Sequence, residues 1–249
     1  MVQLVYFSAI AMCLFGAFAG TAFVSSRRLP GTTRRYGYAA VLAATAMCLA
    51  YVGMTTVQAF FEQQGFPLLM MELSRFVGYT LMWLPIIYVA SSLSGIGRGL
   101  SVALFVAIVG QLWMTFVAWQ TATVPQWVVL LSPGLLLVGS YLLYAPITRA
   151  ATAQSKTRAT VYNKLKHTMF LGWFGQVMTV VVHPGTLGWT TVFTDWVTIM
   201  YVELLLVGAF VAIVFNNADA FDDIVGDGTE DEPEETPRAE RRSGRTVGA

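Results

Sequence analysis

The chain is poor in lysine, and the few it has are badly placed for work inside a membrane. Its three lysines, Lys156, Lys164 and Lys166, all fall in or beside one polar loop. No lysine lies in the core of any apolar stretch, so no deeply placed amine is available to hold a ligand as an imine. Acids are also scarce over residues 1–218, where eleven basic residues stand against four acidic ones, Glu62, Glu72, Asp195 and Glu203. A relay of titratable groups across a bilayer is therefore not expected. The two cysteines, Cys13 and Cys48, sit in separate apolar stretches with no CxxC or metal spacing, and read as small packing residues. The sequence holds no HExxH, GxSxG, P-loop or paired-carboxylate arrangement, so no enzyme is expected.

Apolar sequence is abundant. Hydrophobic residues make up 56% of 249, charged residues 12%, and the mean hydropathy is +0.62. A bilayer span needs about 20 apolar residues. Seven stretches qualify, roughly 4–26, 36–61, 68–94, 99–119, 126–146, 160–182 and 190–215, each bounded by Pro, Gly or charge. The first is expected to be a true span rather than a signal peptide, because it lacks a basic start and runs directly into Arg27 and Arg28. The expected fold class is all-α, a seven-transmembrane-helix bundle in the cell membrane, multi-pass, with the lipid bilayer as its first partner.

Charge orients it. Arg27, Arg28, Arg34 and Arg35 lie between stretches one and two, and Arg98 between three and four. Arg149, Lys156 and Arg158 lie between five and six, while the other connections carry no Lys or Arg. By the positive-inside rule the N-terminus is outside and the C-terminus cytoplasmic. Residues 219–249 hold ten acids and four bases with two prolines, and form a second region expected to be an acidic disordered tail. The domain reading is thus 1–218 membrane body and 219–249 tail. Nothing in this charge pattern points to nucleic acid.

Within the body, Pro85 and Pro133 fall inside helices, and Gly16 and Gly20 make a GxxxG spacing that suits helix contact or a homo-oligomer. Trp119, Trp127 and Trp189 fall at outer ends and read as interfacial residues. Trp83 and Trp173 are deeper and read first as packing residues, with the lining of an interior pocket as the alternative. Ionisable groups inside a bilayer are functional candidates by default. Glu203 is the deepest, Arg75 is the cation in reach, and the two are expected to pair across helices. Asp195 is expected to be wet, and Lys164 and Lys166 to extend to the cytoplasmic surface.

These residues together resemble the microbial (type I) rhodopsins, in feel the haloarchaeal sensory rhodopsins, over about residues 4–215. The basic loop leading to Arg34-Arg35-Tyr36 is similar to the family's. Arg75-Phe76-Val77-Gly78-Tyr79 stands against the family's Arg-Tyr-x-Asp-Trp. Tyr144, Pro146 and the run Tyr162-Asn163-Lys164-Leu165-Lys166 match a family spacing, and Tyr201-Val202-Glu203 stands against Tyr-Leu-Asp. The resemblance implies an opsin-like bundle, an archaeal source and a signalling role through a membrane or cytoplasmic protein partner. It also implies where retinal chemistry is missing. The counterion Asp falls on Gly78, the next Trp on Tyr79, and the following Thr-Thr on Met82 and Trp83, with a proline one place late at Pro85. Of the family's Trp-x-x-Tyr-Pro-x-x-Trp only Trp173 remains, with Gln176, Val177 and Val180 at the other three places. The lysine position falls on Val207, and the pumps' proton-donor position on Val89. Retinal is then expected only non-covalently. Gly78 and Val180 are expected to enlarge the cavity, and Gln176 to offer it a polar handle. The site is accordingly Arg75, Gly78, Tyr79, Met82, Trp83, Trp173, Gln176, Tyr201, Glu203 and Val207, with no metal and no covalent cofactor. Two functions follow: a non-photochemical sensory, regulatory or partner-binding subunit, or a binder or transporter of retinal or another apolar molecule. A light-driven pump is the least favoured.

Overall fold

The structure, a computed structural model, describes residues 2–61, 68–120 and 126–226. Nine α-helices are present among them: α1 (Val2–Ser26), α2 (Arg34–Thr56), α3 (Leu68–Ser94), α4 (Arg98–Gln120), α5 (Gln126–Tyr144), α6 (Pro146–Thr152), α7 (Lys156–Val182), α8 (Val192–Asn216) and α9 (Asp219–Gly226). Six segments are long and apolar enough to cross a membrane, and α7, with its polar first turns, is the seventh helix of comparable length. The seven expected stretches are all helical.

Helices α1, α2 and α3 pack most extensively, α4 lies against α5, and α8 closes the bundle against α7, α1 and α2. The cause is composition. Ala39, Ala40, Ala43, Ala44 and Ala46 of α2 are buried, and small side chains let backbones approach where lipid offers no hydrophobic drive. Ser74 of α3 donates to the Ala50 carbonyl of α2 at 3.0 Å. Gly16 of the GxxxG spacing faces Cys48, whereas Gly20 looks onto open space, so α1 uses half of that motif within the chain.

Side chains of α6 and α7 satisfy carbonyls at the ends of α5 and α3. Pro146 opens α6 and separates it from α5. The Leu143 carbonyl near this break accepts from Thr148 Oγ1 at 2.7 Å and from Tyr162 Oη at 3.0 Å. Arg158, from α7, donates to the Ser92 and Leu93 carbonyls at the end of α3, at 3.1 and 3.3 Å. Gly95 follows with φ +67°, a left-handed conformation that ends α3 at little steric cost.

Two expectations need correction. Residues 219–226 are not disordered. They form α9, whose Ala220 and Phe221 are buried, with Phe221 stacked on Tyr36 at 4.6 Å. An apolar pair three residues into an acidic segment was enough to dock it. Residues 227–249, the rest of the expected tail, lie outside the described residues, as do Glu62 and the Trp119 side chain. Lys166 does not reach outward: it is buried, its Nζ 2.9 Å from Asn163 Oδ1 and 3.2 Å from Thr148 Oγ1, beneath the Tyr144 ring.

Candidate functional site

Glu203 sits in α8 with no exposed surface. A carboxylate there must be hydrogen-bonded or matched by a cation. It has both. Tyr51 of α2 donates to one oxygen at 2.5 Å, and Tyr79 of α3 donates to the other. Arg75 Nε lies 3.7 Å from Glu203, an ion-pair distance longer than a charge-assisted hydrogen bond. The expected contact between Arg75 and Glu203 is therefore present, joined by two phenols that tie α2, α3 and α8 to one carboxylate. Arg75 is also 3.9 Å from Glu72, one turn away, and its guanidinium lies 4.0 Å above the Trp196 ring. Its Nη2 makes no hydrogen bond among the described residues. Two small cavities touch Arg75, each of about 10 Å³, room for about one water.

A second polar cluster lies beside the first. Trp173 of α7 donates its indole N–H to Gln111 of α4 at 3.0 Å. The Gln111 amide reaches Thr115 at 3.3 Å and Ser132 of α5 at 3.4 Å. Gln176 is buried one turn from Trp173, and neither polar atom of its amide has a hydrogen-bond partner among the described residues. One of the small cavities lies there, lined in part by Arg75, Tyr79, Gln111, Gln176, Val177 and Val180. A single water fits the available volume and the number of unsatisfied groups.

Sequence reading pointed at Arg75, Tyr79, Trp173, Gln176 and Glu203, and the fold gathers them. Met82, Trp83 and Val207 are fully buried, and Val207 shares an inward face with Glu203, as i and i+4 must. Two site residues fall elsewhere. Tyr201 is 60% exposed on the outer face of α8, two positions and so about half a turn from Glu203. Gly78 is turned toward α2: a Cβ there would collide with Ala50 and come within 3.7 Å of Met47 Sδ. It lines a groove of about 360 Å³ on the outside of α2 and α3, not the interior. Asp195, expected to be wet, is buried. Tyr51, Gln111 and Trp196 were missed. Gln111 carried a readable signal, as a lone amide in the middle of an apolar stretch.

Among the described residues the interior offers little open space for the retinal that the resemblance implies. A ligand site for a molecule of drug size occupies about 300–1,000 Å³. The interior between α3, α4, α7 and α8 has a cavity of about 10 Å³, so the expected enlargement is absent. Packing accounts for this: Gly78 faces the Ala50 side chain of α2 rather than the interior, and the Trp173 ring packs against Gly139, where a Cβ would come within 2.5 Å of it. Val207 presents an alkyl group where an imine would need nitrogen. The described residues also hold no group of three or more His, Cys, Asp or Glu suited to a metal ion.

No protein-family model matches the sequence, and no curated protein does. Solved structures do match the fold. A thermophilic rhodopsin of Rubrobacter xylanophilus aligns with TM-score 0.74 over 90% of this chain and 99% of its own, at 13% identity. The light-driven proton pump rhodopsin of Coccomyxa subellipsoidea aligns with TM-score 0.73 over 86% and 96%, at 16% identity. Halorhodopsin, a light-driven chloride pump, aligns with TM-score 0.71 over 88% and 97%, at 15% identity. At these identities the likeness is one of fold: this chain is a multi-pass membrane protein with the helical bundle of the microbial rhodopsins.

Proposed function

We propose that this protein is a rhodopsin-type membrane subunit that works without covalent retinal, through contacts with a protein partner. The observation that carries this reading is the filled interior. Where a chromophore would lie, the bundle holds Trp83, Trp173 and Val207 at full burial and room for about one water. The Arg75–Glu203–Tyr51–Tyr79 cluster then serves as a clasp that fixes α2, α3 and α8. The contact surfaces are the basic cytoplasmic rim and the acidic segment beyond α8. The second reading, a carrier of an apolar ligand, requires helices α2 and α3 or α7 and α5 to separate.

Incubation of the purified protein with all-trans-retinal tests this directly. The expected result is no visible absorption band and no borohydride-trapped adduct in α8. A stable visible pigment, or retinal recovered from the native membrane preparation, defeats the reading. Cross-linking in native membranes is expected to capture a protein partner through residues of the cytoplasmic rim.

A further inference from the structure

A broad concavity lies outside the interior, among the described residues. It is a groove of about 640 Å³ on the outer surface of α3 and α4, over their cytoplasmic halves. Leu84, Ile87, Val102 and Phe105 make its walls, and Leu84 and Val102 are open to the surroundings. The cytoplasmic end differs in kind. Arg98 lies there with Ser91, whose Oγ is buried without a hydrogen-bond partner among the described residues. Arg98 also begins α4, whose first turn carries no acid, so the positive end of the helix points the same way. Gly97 and Gly99 flank it, and neither has an atom within 4 Å of where a side chain would sit, leaving the backbone approachable. Residues 84–105 contain no Asp or Glu.

We propose that this groove is a site for an anionic phospholipid of the cytoplasmic leaflet. Its acyl chain lies along Leu84, Ile87, Val102 and Phe105, and its phosphate meets Arg98 and the first turn of α4. Basic pockets between helices on the cytoplasmic side suit such headgroups. The charge pattern argues against a helix of a second copy. A membrane-spanning helix of a second copy would bring no acid to Arg98, because the membrane body's acids, Glu62, Glu72, Asp195 and Glu203, all lie away from the cytoplasmic end; acids on that side occur only from Asp219 onward, beyond the span of α8.

The test is native mass spectrometry of the full chain in mild detergent, titrated with phosphatidylglycerol or phosphatidylcholine of equal chain length. Phosphatidylglycerol is expected to be retained preferentially. Arg98→Gln is expected to weaken that retention about fivefold, the worth of one basic contact near an anionic surface. Val102→Trp, which fills the groove, is expected to lower retention of both lipids. Arg27→Gln, elsewhere on the rim, is expected to leave it unchanged, with thermal melts confirming that each variant is folded. Equal retention of the two lipids overturns the proposal. So does an Arg98→Gln variant no weaker than Arg27→Gln. Displacement by inorganic phosphate with no effect of Val102→Trp would assign the binding to the headgroup charge alone and refute the groove. A dimer that excludes lipid at this face would refute it too.

Discussion

At the scale of single residues, Glu203 is the most constrained group in the protein. It accepts from two phenols and pairs with Arg75 without any contact with solvent. Removing one partner of a buried pair costs about 3–5 kcal/mol, because the survivor is left uncompensated. Arg75→Ala and Glu203→Ala are each expected to lose stability of that order in denaturation experiments, and the double variant less than their sum. Strict additivity would mean that the pair contributes nothing. Tyr51→Phe removes one hydrogen bond to a charged group and is expected to cost about 1.5–3 kcal/mol. Gly78 leads to a different expectation. Its missing side chain would strike Ala50, so Gly78→Ala is expected to destabilise by about 1–3 kcal/mol, as overpacking does. Val207→Lys places an amine one turn from an acid, yet with no chamber beside it the variant is expected to form no pigment. Adding Gly78→Asp is expected to lower the melting temperature further rather than create a visible band. A folded, coloured double variant would show that the helices can part.

At the scale of helices, the packing depends on matched small and large residues. Trp173 fits because Gly139 leaves room for its ring, a Cβ on Gly139 coming within 2.8 Å of Cζ3. Gly139→Ala is expected to destabilise the bundle, and Trp173→Phe to recover part of that loss in a double-mutant cycle, although Phe forfeits the hydrogen bond to Gln111. If Trp173→Phe gives no recovery, the two sites do not share space. The end of α3 depends on Arg158 in a similar way. Its guanidinium spans two successive carbonyls, which an ammonium on a flexible stem holds poorly. Arg158→Lys is expected to be nearly as destabilising as Arg158→Ala, read by thermal unfolding in detergent.

For the molecule as a whole, the distribution of charge sets the orientation. Every Lys or Arg-bearing connection lies on one side, and that side holds the groove with Arg98 and the docked α9. In a Cys13→Ala, Cys48→Ala background, Thr186→Cys is expected to react with an impermeant maleimide in intact cells, and Thr152→Cys only after lysis. The reverse pattern would invert the topology. The rhodopsin-like bundle thus keeps its outline at 13–16% identity while its interior is packed solid, because outline and interior answer to different residues.

The helices and their direction are legible in the sequence. Long apolar runs must be helical in lipid, where every backbone group needs an internal partner, and Arg-rich connections must stay on one side. It also determined that Arg75 and Glu203 would meet, since isolated buried charges are too costly to leave apart. What the cavity contains was settled only by tertiary structure. Sequence position placed Gly78 and Tyr201 in the site, but helix rotation turned Tyr201 outward and turned Gly78 toward the Ala50 side chain of α2. Replacing a large residue by a small one opens a cavity only if the neighbours stay put. In α2 a run of alanines lets the neighbour move in, and whether it does depends on distances between helices that no single stretch of sequence encodes.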